Sequence, residues 1–503
     1  MFKFLFVIIL QVSMWSMLLV AGALLLIAYI WLSRNIPLSN IPGPQGKIWF
    51  GNAFQLDKLK PHIQFANWAK KYGGIFKITL FNKSIVIVND LESIHNVLMA
   101  NDDFAGRPQT FRFLLISDNG AGIAFTDDVP EMRNRRKIAH WYLKQYGSGI
   151  SKIEELTQAA IMNLINRIRE QNNKPLDASM YIYRCVTDVM TVIVFGTTID
   201  DQTAETIKKV IDKFMQVAGN HISGVMLDSF PFLRYFGNSC YTAINNWKHE
   251  RQQLVQEFRA LRHTDGFINH IEMMPDNKKE KYSINQQSST NIAWELMTGG
   301  ISTSVATISF LVNVLSQMPE LQQRLQAEVL HVTGSQRLPC LQDKNNMPLH
   351  QATILEINRY GTMGPISIPH KAIKDTMLGG YQIPKDTEVW YNLWALHHDE
   401  EIWGDPYNFR PDRFLDDQGQ LLPADHFLRK HLMSFGAGAR VCLGQVLAMS
   451  RMFLILASLM QTFTVLPETT IDNQPSMDPR EMTIGLVLQL LNYKVCFQPI
   501  RHG

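Results

Sequence analysis

One ten-residue stretch constrains the chain more than any other: Phe435-Gly436-Ala437-Gly438-Ala439-Arg440-Val441-Cys442-Leu443-Gly444. It ends where a run rich in Leu, Met and Ala begins, and residues 445–463 read as a helix. A thiolate at the mouth of a helix is held ionised by the N-terminal N–H groups and the helix dipole. The glycines around it let backbone approach a flat partner without Cβ clashes. Such a thiolate suits haem iron, because it pushes electron density through the metal and favours O–O cleavage. A buried structural cysteine beside an ordinary helix would share the local pattern, so the rest of the chain has to decide.

The amino terminus narrows the field next. No charged residue occurs between Phe4 and Leu32. A bilayer core takes about 20 apolar residues as a helix, so this segment is long enough to span. A cleaved signal peptide, with a shorter apolar core and a small-residue cleavage site, ranks second. Tyr29 and Trp31 near one end suit an interfacial belt. Arg34, Lys47, Lys58 and Lys60 follow the segment and only Lys3 precedes it, which places the body on the cytoplasmic side. Residues 1–35 therefore read as a membrane anchor and residues 36–503 as the catalytic body.

Composition excludes some classes. Lys and Arg number 48 against 45 Asp and Glu, which leaves no global charge for nucleic acid. Five scattered cysteines show no CxxC pair, so neither a disulfide scaffold nor a structural zinc site is indicated. After the anchor, Asn40-Ile41-Pro42-Gly43-Pro44 forms a stiff hinge. Residues 75–88 predict two short strands about Phe81-Asn82, and residues 388–391 a further β run. Helical spacing dominates residues 150–310, with residues 274–287 as a solvated loop. The expected fold class is mainly α with small β-sheets.

The cysteine stretch fills every fixed position of Phe-x-x-Gly-x-Arg-x-Cys-x-Gly and so resembles the haem-binding loop of the cytochrome P-450 family. Two further motifs precede it in the family's order. Glu356-Ile357-Asn358-Arg359 matches a Glu-x-x-Arg helix, and Phe409-Arg410-Pro411-Asp412-Arg413-Phe414 matches a later Pro-x-Arg-Phe segment. The resemblance implies that Glu356, Arg359 and Arg413 bond together as a structural triad, which must be fully hydrogen-bonded to repay desolvation. Upstream, Glu295-Leu296-Met297-Thr298-Gly299-Gly300-Ile301-Ser302-Thr303 resembles the oxygen-binding groove of the family's central helix. Thr303 takes the place of its threonine and would assist proton delivery. Ser302 stands where the family has an acid, which puts the usual proton route in doubt.

The cofactor implied is haem b, with Cys442 as axial iron ligand. Its propionates need cations, and Arg107, Arg136, His370 and Arg440 match family positions that supply them. Met132 replaces a tryptophan of the same helix and forfeits one propionate contact. Arg135, Arg136 and Lys137 also read as a solvated basic face able to dock an acidic redox partner. The match is strongest toward microsomal steroid 17α-hydroxylase/17,20-lyase and its near relatives.

That resemblance implies a haem-thiolate monooxygenase that hydroxylates an apolar, steroid-like small molecule. Its pocket would be lined by residues 107–125, 204–232 and 299–303. Asn220 falls near a steroid-contacting position, although a helix-surface asparagine is the better reading. Electrons would come from NADPH-cytochrome P-450 reductase, with cytochrome b5 as second donor, at the endoplasmic reticulum membrane. An oxygen-independent haem-thiolate isomerase or dehydratase, and a non-catalytic haem or ligand binder, stay open at this point.

Overall fold

The fold is organised about one helix, Gln286–Ser316, whose 31 residues extend about 46 Å. Asn285 starts it with a capping box: its side chain accepts from Ser288 N–H at 2.8 Å, and Ser288 Oγ accepts from Asn285 N–H at 2.7 Å. The computed structural model describes residues 16–26 and 38–500, except 82, 100–101, 146–150, 220–221, 262–264, 469–475 and 491. Asn220 and residues 1–15 and 27–37, with Tyr29 and Trp31, thus lie outside the described residues.

Around the central helix pack Ala178–Phe195, Pro348–Gly361 and Gln445–Thr462, and their apolar faces close one continuous core. Phe310 stacks on Tyr360, joining the central helix to the Pro348–Gly361 helix. Among the described residues, three helices are long and apolar enough to cross a bilayer: Ala178–Phe195, Gln286–Ser316 and Gln445–Thr462. Protein covers 67%, 67% and 72% of their most apolar windows, so their apolarity serves the core. Ser16–Leu26 differs: it is an apolar helix with every side chain exposed.

A four-stranded sheet flanks the helices. Ile75–Leu80 runs antiparallel to Lys83–Val88, which pairs in parallel with Glu388–Tyr391, and His370–Lys371 pairs antiparallel on the far side. This register carries His370 from the sheet edge into the interior. The predicted strands at 75–88 and 388–391 are present, with Phe81 at φ +54° in the turn. The expected loop at 274–287 is corrected. It contains a helix, Asp276–Lys281, and the central helix already begins at Gln286. Asp276 in the first turn and the lysines in the last complement the helix dipole, so this charged run favours a helix.

Candidate active site

The cysteine loop folds as its glycines require. Gly436 and Gly438 have φ of +66° and +65°, and a Cβ on Gly438 would run into the Leu98 carbonyl. Cys442 N–H donates to the Phe435 carbonyl at 2.8 Å and closes the turn. Gly444 then caps Gln445–Thr462. Cys442 is deeply enclosed by protein yet keeps open surface, as a residue lining an internal slot does. Burial pushes its thiol up, while the Gly444 N–H and the Arg136 guanidinium pull it down. The five cysteines are all free.

Cations gather beside this loop, and among the described residues none of Arg107, Arg136 and Arg440 bonds directly to a carboxylate, with Asp127 and Glu295 as the nearby counter-charges on Arg440. Arg440 donates to the carbonyls of Ala105, Ile123 and Thr126 at 2.9, 2.9 and 2.6 Å. Arg107 donates to those of Ala124, Ile368 and Pro369 at 2.8, 2.8 and 2.7 Å. Arg136 donates to the Val441 carbonyl, next to the cysteine. Burial lowers Arg107 to about 10, and burial with the adjacent Arg107 charge pushes Arg440 down to about 8. Asp127 offsets little, since its oxygens accept from the Arg107 backbone N–H at 2.9 Å and Lys371 Nζ at 2.6 Å. His370 bonds the Phe104 carbonyl through Nδ1 at 2.7 Å, and its Nε2 is buried without a partner. Burial, then Arg107, holds its ring neutral.

The expected solvated basic face at 135–137 is only half present. Arg135 is buried and donates to the carbonyls of Gly120, Gly122 and Ser283 at 2.8, 3.1 and 3.1 Å. It faces inward because it lies on the same helical stripe as the buried Met132, Ile138 and Ala139. Lys137 is exposed. Met132 is fully buried as an apolar core residue.

The central helix keeps surface along its middle at Glu295, Leu296, Gly299, Gly300, Ser302, Thr303, Val305 and Ala306. The two glycines have different reasons. A Cβ on Gly300 would meet Met190 Cε at 2.5 Å, whereas one on Gly299 would meet nothing within 4 Å. Gly300 thus permits helix packing and Gly299 leaves room in the groove. Thr303 Oγ1 donates to the Gly299 carbonyl at 2.7 Å. Ser302 Oγ is buried without a partner.

Two charged residues in these helices had no assigned role. Glu295, the lone acid of the central helix, accepts from the backbone N–H groups of Ile123 and Ala124 at 2.6 and 3.1 Å. It anchors the loop whose carbonyls hold Arg107, Arg135 and Arg440. Burial raises its pKa against those two bonds and the Arg135 charge. Arg451, the lone charge of Gln445–Thr462, is buried between that helix and the central one. A single charge in an apolar helix was the available signal for both.

The expected triad forms. Arg359 donates to both Glu356 oxygens at 2.8 Å, and Arg413 Nε reaches Oε1 at 3.0 Å. The Arg410 backbone N–H adds a fourth bond at 2.9 Å. The remaining N–H groups of the two arginines reach the carbonyls of His397, Pro406 and Trp403 at 2.8, 2.9 and 2.9 Å, with Asp405 and Asn408 on Arg413. All of this occurs at zero exposure for Glu356 and Arg359, so the motif is an interior brace.

A cleft opens at the sheet side, lined by Thr110, Arg112, Phe113, Gly219, Asp228 and Trp390 among others. Its lining takes residues from the expected 107–125 and 204–232 segments but none from residues 299–303. Arg112 bridges its two walls: it donates to Asp228 at 2.8 Å and to the Gly219 carbonyl at 2.7 Å.

An enclosed thiol beside guanidiniums that bond backbone carbonyls is the donor set a haem-thiolate class of site would use. Comparison of the sequence agrees: the family model "Cytochrome P450" matches residues 41–497, and the chain belongs to that family. Its members are monooxygenases carrying haem with an axial cysteine thiolate. Among similar proteins, steroid 17-alpha-hydroxylase/17,20 lyase of Rana dybowskii is 31% identical over 457 residues, covering 87% of this chain and 86% of the relative. Cytochrome P450 1A1 of Chelon auratus is 33% identical over 470 residues, 88% and 89% of the two chains. Cytochrome P450 2J5 of Mus musculus is 29% identical over 483 residues, 93% and 92%.

The residues present fit the cofactor. Buried guanidiniums with no bonded carboxylate, and an orphaned His370 Nε2, are what a flat group with two carboxylates would satisfy.

Proposed function

We propose that this chain is a microsomal haem-thiolate monooxygenase with Cys442 as the iron ligand, acting on an apolar small molecule of roughly steroid size. The cation cluster beside the cysteine slot is the observation that carries the reading. Arg107, Arg440 and His370 would hold the propionates, and Arg136 would add its charge next to Cys442. The bound haem supplies the oxidation chemistry. Around it, Gly299 leaves space on the oxygen side and Thr303 presents a hydroxyl there to hold and pass protons. Ser302 is not an acid, so water ordered by Ser302 and Thr303 must carry the proton the family's acid would supply. Thr303 in the threonine position favours this over the oxygen-independent isomerase.

Electrons come from NADPH-cytochrome P-450 reductase, with cytochrome b5 as second donor, and the exposed Lys137 belongs to the docking face. Residues 1–35 anchor residues 36–503 to the endoplasmic reticulum with the body in the cytosol. The uncovered apolar helix Ser16–Leu26 supports that assignment. The steroid preference rests on the Rana dybowskii relative, while the cytochrome P450 1A1 relatives broaden it to other apolar compounds.

Carbon monoxide binding to the reduced protein tests the ligand assignment. Wild type gives the red-shifted band of thiolate ligation, and Cys442→Ser abolishes it. A retained band in the variant refutes the assignment. Steroids screened by Soret shift, followed by turnover with NADPH and reductase, test the substrate class. Hydroperoxide conversion without reductant would favour the isomerase.

A further inference from the structure

Arg451 is the largest unexplained electrostatic feature of the interior. It is 1% exposed, and its Nη2 donates to the Gly300 carbonyl and to Ser304 Oγ, both at 2.9 Å. Its Nε and Nη1 are buried with no partner. No carboxylate pairs with it among the described residues, and the one titratable group facing it is the thiol of Cys185, on the helix Ala178–Phe195. Burial raises that thiol to about 12, so it stays neutral and supplies no counter-charge. A buried cation normally needs a partner to repay its desolvation. This one has neutral partners only.

Its position explains where the charge acts. Arg451 lies less than two turns into the helix that begins three residues after Cys442. Helical side chains lean toward the N-terminus, which here is the cysteine end. Its hydrogen bonds reach the back of the central helix at Gly300, beside Gly299 and one turn from Thr303. The guanidinium therefore sits in a low-dielectric wedge between the helix Gln445–Thr462 and the central helix, where charge is weakly screened.

We propose that Arg451 is a positioning residue and built-in counter-charge of the haem site. It pins the groove through Gly300 and Ser304, and its field favours the reduced form of the bound haem. The inference rests on the haem-thiolate reading. A weakly screened unit charge of this kind is expected to change a one-electron equilibrium about tenfold.

The test is spectroelectrochemical titration of the ferric–ferrous couple in the intact holoenzyme. Arg451→Met and Arg451→Gln should each lower the reduction equilibrium constant about tenfold, whereas Arg451→Lys should keep it within about twofold. Cys185→Asp provides a second route that leaves the arginine in place: the new carboxylate should neutralise it and lower the constant similarly. The red-shifted carbon monoxide band reports intact ligation in each variant. An unchanged potential in the neutral variants, or in Cys185→Asp, overturns the proposal. So does a Lys variant that shifts as far as Met. Absence of the band in wild type would instead overturn the haem-thiolate reading itself.

Discussion

Replacing Glu356 by alanine should cost the protein a large part of its stability and disturb the cysteine loop from a distance. Glu356 accepts four hydrogen bonds at zero exposure. Without it, Arg413 keeps Asp405 at 3.1 Å, but Arg359 loses its only carboxylate and the Arg410 N–H loses its acceptor. Removing one partner of a buried pair costs about 3–5 kcal/mol, and an orphaned backbone donor about 1–3 kcal/mol. These overlap, so about 4–6 kcal/mol is expected, against a total stability of about 5–15 kcal/mol. The strain has a route to the thiolate. Arg359 holds the His397 carbonyl, and His397 Nε2 accepts the Met433 N–H at 3.1 Å, two residues before Phe435. Urea unfolding of the holoprotein, followed by the red-shifted carbon monoxide band, measures both effects. Glu356→Ala together with Arg359→Met should recover part of the loss, because no unpaired guanidinium remains beside the missing acid. A single Glu356→Ala variant within about 1 kcal/mol of wild type would refute the reasoning, which holds the triad to be an obligatory interior brace.

The groove glycines should separate in behaviour. Gly299→Ala should raise stability by up to about 1 kcal/mol by helix propensity while weakening ligand binding read by Soret shift. Gly300→Ala meets Met190 Cε at 2.5 Å and should gain nothing or lose stability by thermal unfolding. Thr303→Ala should leave the carbon monoxide band intact and raise peroxide formed per NADPH several-fold, with Ser302→Ala smaller in effect. Arg440→Met should weaken haem retention, measured by haem transfer to an acceptor protein, because one propionate would lose its guanidinium partner.

Much of the site was legible because its requirements are local. The glycines of the cysteine loop, the order of the Glu356 and Arg413 motifs, and the two short strands all express constraints within a few residues. The fold brings Arg107, His370 and Arg440 near one another from distant segments. What pattern could not supply was burial. Arg135 reads as a surface cation beside Arg136 and Lys137, yet it faces the core because its helical stripe is otherwise apolar. The Glu356-x-x-Arg359 pair reads as an ordinary i, i+3 surface contact until its neighbours are seen to cover it. Glu295 and Arg451 carried no motif, and their partners are backbone groups from other elements, which no side-chain spacing reveals.

The sequence by itself determined the family, and with it the cofactor class, through the resemblance its ordered motifs carry, and the mainly helical fold through apolar periodicity along the chain. Only the tertiary structure decided the electrostatics. A charge's energy depends on which groups the fold brings within a few ångströms and on how much water it removes. Those two quantities left Arg107, Arg440 and Arg451 without bonded carboxylates, sealed the Glu356 brace, and made of Cys442 a thiol that opens only into its slot.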